Sequence, residues 1–292
     1  MISHRILTAL ACVLLSGPSL RALTVSSEAT AAWAENIGRA TADINWRDAM
    51  RFETRTEVSF LREWRAGFMT VGRIDAGIEH VPDFSKMDAF TGGLATTFRQ
   101  KFGLGALAPV ASLDLGLRRR EARLAADDGW LATAGLRLSR RVTESWRLSA
   151  VTDWRQHYAR SAIFDTRHHR VFATVAWDLT DWLQLAHGNG RLWGDFTANA
   201  GPSIWPLALA GALGPDVSNY YNTTAWGVTE LLGPGWVTYR VSGRVSFWWL
   251  ELAPALGRNT SLPLRYESLF SVNKVGIKYR QDVWTLQLLY RF

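Results

Sequence analysis

The ten residues Val283, Trp284, Thr285, Leu286, Gln287, Leu288, Leu289, Tyr290, Arg291 and Phe292 decide how this chain is read. Successive side chains on a β-strand point to opposite faces. Trp284, Leu286, Leu288, Tyr290 and Phe292 therefore share one face. Thr285, Gln287 and Arg291 share the other, with Leu289 as the apolar exception. An aromatic, amphipathic strand with no polar tail gains little in a soluble sheet. The same alternation recurs upstream, most cleanly over Met50–Glu63. There Phe52, Thr54, Thr56, Val58 and Phe60 oppose Arg51, Glu53, Arg55 and Glu57.

A soluble sheet buries its apolar face, whereas a membrane barrel turns that face to lipid and keeps the polar one for its lumen. Composition favours the barrel. Apolar types make up 48% of the chain, yet the mean hydropathy is only -0.05. The 15 Trp exceed what a soluble core calls for, and interfacial girdles are a physical reason to keep them. After the N-terminal region no apolar run reaches the roughly 18 residues that a helical span needs. The formal charge is +7, but the basic residues alternate with apolar ones instead of clustering. Nucleic acid is therefore excluded as the expected partner.

Residues 1–22 read as a secretory leader: His4 and Arg5, an apolar run from Ile6 to Leu15, then Gly17, Pro18 and small residues. The only Cys, Cys12, lies in that run, so a mature chain of 23–292 is Cys-free and has no disulfide. The leader, the alternation, the Trp excess and the ending on Tyr290 and Phe292 together resemble Gram-negative outer-membrane β-barrels. In that family a terminal aromatic strand is read by the barrel assembly machinery. The resemblance implies an all-β, antiparallel, up-and-down transmembrane barrel in the outer membrane. Its partners would be outer-membrane lipids and, through Tyr290 and Phe292, the assembly machinery.

About twelve strands are expected, an even number that returns both ends to the periplasm. Ten or fourteen follow if the long break 194–235 hides a hairpin or a weak strand is spurious. A soluble all-β sandwich is the alternative architecture.

No cofactor, metal site or catalytic set is expected. The stretch from His187 to Arg191 faintly resembles the His motif of outer-membrane phospholipases. No Ser follows to serve as nucleophile, and His187 shares a face with Leu183 and Leu185. His168 and His169 point to opposite faces and make a poor metal pair. What does recur is charge on the inward phase. Arg51, Glu53, Arg55, Glu57, Arg73, Asp75, Asp153 and Arg155 are expected to form a lumenal network. Arg137, Arg147, Arg240 and Arg244 have few acids nearby and are expected to face the lumen and set an anion preference.

The expected function is a small porin-like channel or transporter for a polar solute, with anions favoured. A lipid-active enzyme and a closed structural or surface-binding barrel are the alternatives. Residues 203–214, apolar and broken by Pro206 and Gly211, are expected to fold inward over the mouth or pack against its extracellular rim, as a lid or constriction, with a partner-binding surface as the alternative.

Overall fold

The computed structural model describes residues 22–292; the leader, apart from Ala22, lies outside the described residues. Twelve long strands form the wall. They are β1 (Ala22–Ala34), β2 (Ala49–Arg65), β3 (Phe68–His80), β4 (Ala89–Lys101), β5 (Val110–Ala122), β6 (Gly129–Arg141), β7 (Trp146–Ala159), β8 (Thr166–Thr180), β9 (Leu183–Ala200), β11 (Val237–Pro254), β13 (Leu264–Asn273) and β14 (Lys278–Arg291). Two short strands, β10 (Trp226–Val228) and β12 (Thr260–Ser261), pair with β11 and β14. Every long strand runs antiparallel to the next. β14 then returns to β1, from Ser26 opposite Arg291 to Ala34 opposite Val283. That last pairing closes the sheet and removes the edge that a sandwich would leave exposed.

The outer face carries the belt that the alternation predicts. Ile74, Ile78, Leu113, Leu115, Leu136, Leu138, Leu148, Val171 and Val175 are all exposed. Covering such a surface is favourable by about 25 cal/mol per Å², and in a closed barrel only lipid can cover it. Aromatic residues mark its borders. Trp146 stacks on Trp177 at 5.1 Å beside the short turn between β6 and β7. Trp248, Tyr266 and Trp284 follow one another across β11, β13 and β14 at 5.2 and 4.8 Å. At the chain end Tyr290 packs on Phe292 at 4.7 Å, and the Phe292 N–H donates to the Val25 carbonyl at 2.9 Å.

Two features depart from the sequence reading. β9 does not stop at Trp193 but runs to Ala200, because Phe196, Ala198 and Ala200 bury one face of the extension. The sequence also leads to the expectation that longer and shorter connections alternate along the wall, and this fails three times, once where the β11–β13 connection takes residues 255–263 instead of a short turn. The β4–β5 connection takes residues 102–109, and the β13–β14 turn only 274–277.

Candidate functional site: a two-faced lumen under a lid

Half of the lumen wall is ionic. Asp75 on β3, with a fully buried side chain, accepts hydrogen bonds from Arg55 Nη2 at 2.6 Å and Arg118 Nε at 3.1 Å. Arg118 stands two strands away on β5. It reaches Asp75 because Gly93 lies between them in the register, and a Cβ on Gly93 would sit 2.4 Å from the Arg118 side chain. Arg73 bonds Thr97 and pairs with Asp114 at 3.3 Å. Arg51 lies 3.7 Å from Glu79, which also holds Arg120 at 2.9 Å. Asp153 receives two hydrogen bonds from Arg170, at 3.0 and 2.8 Å, and Arg155 approaches it at 3.7 Å. Glu53 and Glu57 share this inward phase, opposite Glu79 and Asp75. The predicted network residues thus come together, joined by Arg120 and Arg170, which the reading of the sequence missed. Arg120 falls on the inward phase of Arg118, and Arg170 on that of His168.

The opposite wall overturns one expectation. Arg240 and Arg244 do not face the lumen. The register from β8 through β9 to β11 puts Arg244 on the outer face with Trp193, Trp248 and Leu250. Arg240, higher on that face, donates to the Asp165 carbonyl at 2.9 Å. The inward residues of β11 are Val241, Val245, Phe247 and Trp249, all buried. Their rings fill the space left by glycines on β9. A Cβ on Gly188 would meet Trp249 at 2.3 Å, and one on Gly190 would meet Phe172 at 2.4 Å and Phe247 at 2.7 Å. His187 lies on the outer face, 6.3 Å from Trp248. His169 is likewise outside, stacked on Trp193, while His168 borders the lumen.

Arg137 and Arg147 do face inward on β6 and β7, and they make no ion pair among the described residues. Arg99 on β4 joins them. It lies opposite Ser112, which is in turn opposite Arg137, so two unpaired guanidinium groups share one row of the lumen.

Residues 201–236 cover the mouth. Two helices, α1 (Trp205–Leu209) and α2 (Pro215–Thr223), pack on the end of the β9–β11 hairpin. Trp205 stacks on Tyr239 at 4.7 Å, and the Tyr221 hydroxyl meets that of Tyr279 at 3.0 Å. Burial raises the Tyr221 pKa, so this phenol stays a neutral hydrogen-bonding group. The hairpin outruns β8 at Gly194, whose φ of +132° lies where residues with a side chain rarely go. Gly194 faces Gly243, so the crease falls on a pair of glycines. Beyond it, Asn199 donates twice to the Gly38 carbonyl in the β1–β2 loop, from its N–H and its Nδ2, each at 2.9 Å. Lys86, in the β3–β4 connection, donates to the Thr229 carbonyl at 3.1 Å and pairs with Glu230 at 3.1 Å. In the closed strand order β3 and β11 lie nearly opposite, so these contacts span the opening. Of residues 203–214, Trp205 and Ala208 are buried against the end of the β9–β11 hairpin, at the rim.

Between the two walls and this cover lies a cavity of ≈ 430 Å³. Arg120, Arg155, His157, His168 and Arg170 border it on one side. Leu192, Phe196, Val245, Phe247 and Leu269 border it on the other, and Arg39 and Leu231 come from above.

The architecture matches known barrels. An outer-membrane channel from Pseudomonas putida F1 superimposes with a TM-score of 0.52 at 11% identity, over 95% of this chain and 98% of that one. The fold is that of an outer-membrane β-barrel. With its exposed apolar belt, the chain sits in the outer membrane. Two further alignments are looser. The channel DcaP of Acinetobacter baumannii gives 0.45 at 10% identity, over 93% and 96% of the two chains. The transport unit of the Escherichia coli autotransporter AIDA-I gives 0.47 at 10%, over 98% and 97%. No protein-family model and no curated sequence matches the chain.

Proposed function

We propose that the protein is a lidded outer-membrane channel for small polar solutes, with a preference for anions. The observation that carries this reading is the pairing of a charged lumen wall with a cover that crosses the mouth. A barrel that served only as a scaffold would not need hydrogen bonds from the end of β9 to the β1–β2 connection and from its longest loop to the β3–β4 connection. The Pseudomonas putida structure, described as a channel, supports the same reading. The anion preference rests on Arg99, Arg137 and Arg147 in place of Arg240 and Arg244. Most other lumenal arginines are neutralised by carboxylates, so the unpaired ones set the potential felt by a passing ion.

Planar-bilayer recording tests both parts. Deleting 203–214 should raise single-channel conductance at least about twofold, because the cover loses Trp205. Arg99→Gln with Arg137→Gln should move the reversal potential in a salt gradient towards cation selectivity. Silence of the wild type and of the loop deletion alike would refute the channel. An unmoved reversal potential would refute the role of these arginines.

A further inference from the structure

Resting on the channel reading, we infer that the cavity under the lid is a binding site for an organic carboxylate carrying a ring-sized apolar body. Of the groups that border the cavity, Glu79 and Asp127 are held by Arg120, and Asp195 by the Ser242 hydroxyl. Glu267 is held by Arg265, Lys86 by Glu230, and Arg280 by Asp282. Arg170 takes one oxygen of Asp153 through both of its hydrogen bonds, leaving Arg155 a loose 3.7 Å approach to the other. Arg39 makes no ion pair among the described residues, and Glu267 acts on it only at longer range. Its Nε donates to Gln281 Oε1 at 3.1 Å. Two guanidinium groups are therefore left with bonding capacity towards the cavity, and carboxylates match guanidinium geometry.

Arg39 is also held in an unusual conformation. Its φ is +49°, a left-handed backbone that residues with a long side chain rarely adopt. Burial, with nearby Arg51 adding to it, lowers its pKa from the usual value, and Glu267 offsets this only in part. A bound anion would supply the rest. The facing floor of Leu192, Phe196, Val245, Phe247 and Leu269 offers a small inorganic anion nothing, and it rewards an apolar body. The volume is within the range of small-molecule sites, about 300–1,000 Å³. An organic cation would fit the floor but meet the arginines.

The test uses full-length mature protein in detergent, with phenylacetate as the probe and calorimetry as the readout. Acetate supplies the charge alone and 2-phenylethanol the ring alone. Phenylacetate should bind saturably, and each control about tenfold or more weaker. Arg39→Gln should weaken phenylacetate about tenfold and leave 2-phenylethanol unchanged. Where Arg39→Gln lowers the yield of heat-modifiable barrel, Arg155→Gln is held to the same criterion. Equal binding of 2-phenylethanol and phenylacetate would overturn the site, as would affinity indifferent to both arginines. Saturable phenylacetate binding by a protein that conducts nothing would keep the site and discard the channel. Conductance without phenylacetate binding would do the reverse.

Discussion

On β3 the outward residues are Ile74, Ala76 and Ile78 and the inward ones Arg73, Asp75 and Glu79. On β11 the outward residues are Ser242, Arg244 and Ser246 and the inward ones Val241, Val245 and Phe247. Both strands alternate, and both belong to one closed sheet. The difference lies in what flanks each inner face. β3 is flanked on its own wall by Arg55 of β2 and Arg118 of β5, so carboxylates are stabilising there. β11 packs Phe247 against Phe172 and the glycines of β9, so a charge at that height would be desolvated without a partner, and its inward acid, Glu251, lies lower, opposite Arg265. Alternation thus reports that a strand has two unlike faces, and the lumen's contents at that height decide which one points in.

The largest expected effects test the two inner faces directly. Asp75→Ala removes the acceptor of both Arg55 and Arg118, and breaking a buried pair this way costs about 3–5 kcal/mol. Phe247→Ala opens a void between Gly190 and the cavity floor, with a cost in the same range of about 3–5 kcal/mol. Guanidinium unfolding in phospholipid vesicles reads both. A loss under 1 kcal/mol, an order-of-magnitude floor for either variant, would show that its face of the lumen does not hold the barrel together.

The outer faces give the next effect, with opposite signs. Leu115 lies in the apolar belt, and Leu115→Arg should destabilise the barrel by about 2–4 kcal/mol if it sits near mid-bilayer. Arg191 shares the outer face of β9 with His187, Asn189 and Trp193, directly across from Val171 of the belt. Arg191→Leu should therefore stabilise the barrel in vesicles, by up to a similar amount. Destabilisation by Arg191→Leu, with loss of a cross-linkable dimer, would show instead that a second copy covers this polar stripe.

These residues also explain what the sequence could and could not disclose. Met50–Glu63 and the C-terminal strand were legible because their apolar faces meet lipid and their charges meet charges, as the barrel rule assumes. The inward set Arg51, Arg55, Arg73, Asp75, Asp153 and Arg155 followed from parity alone. β11 misled because its aromatic face packs inside, and the rule sends aromatic faces outward. The corrective signal was present on its neighbour. Gly188 and Gly190, two residues apart on one face of β9, leave room for large rings on both neighbouring strands, Phe172 of β8 and Phe247 and Trp249 of β11. Arg39 could not be found from its surroundings in sequence. It sits in a loop with no periodicity, and its place above the cavity depends on contacts between connections distant along the chain.

The smallest effect concerns the border between the belt and the headgroups. Trp146 and Trp177 stack with their planes 8° apart beside the short β6–β7 turn, on the outer face of β7 and β8. An aromatic pair adds about 0.5–1.5 kcal/mol beyond the area it covers, so Trp146→Leu, which keeps the apolar contact, should cost no more than that. The comparison partner is Trp249, an indole of the same size that points inward over Gly188 with Arg265 4.4 Å from its ring centre. Trp249→Leu forfeits enclosed packing on several sides and should cost at least twice as much. A headgroup-level ring also feels bilayer thickness, which an enclosed ring does not. Unfolding Trp146→Leu in vesicles of shorter and longer acyl chains should therefore change its deficit, and the Trp249→Leu deficit should stay constant. Equal sensitivity of the two variants to chain length would place both rings in the same environment and undo the assignment of inner and outer faces on β11.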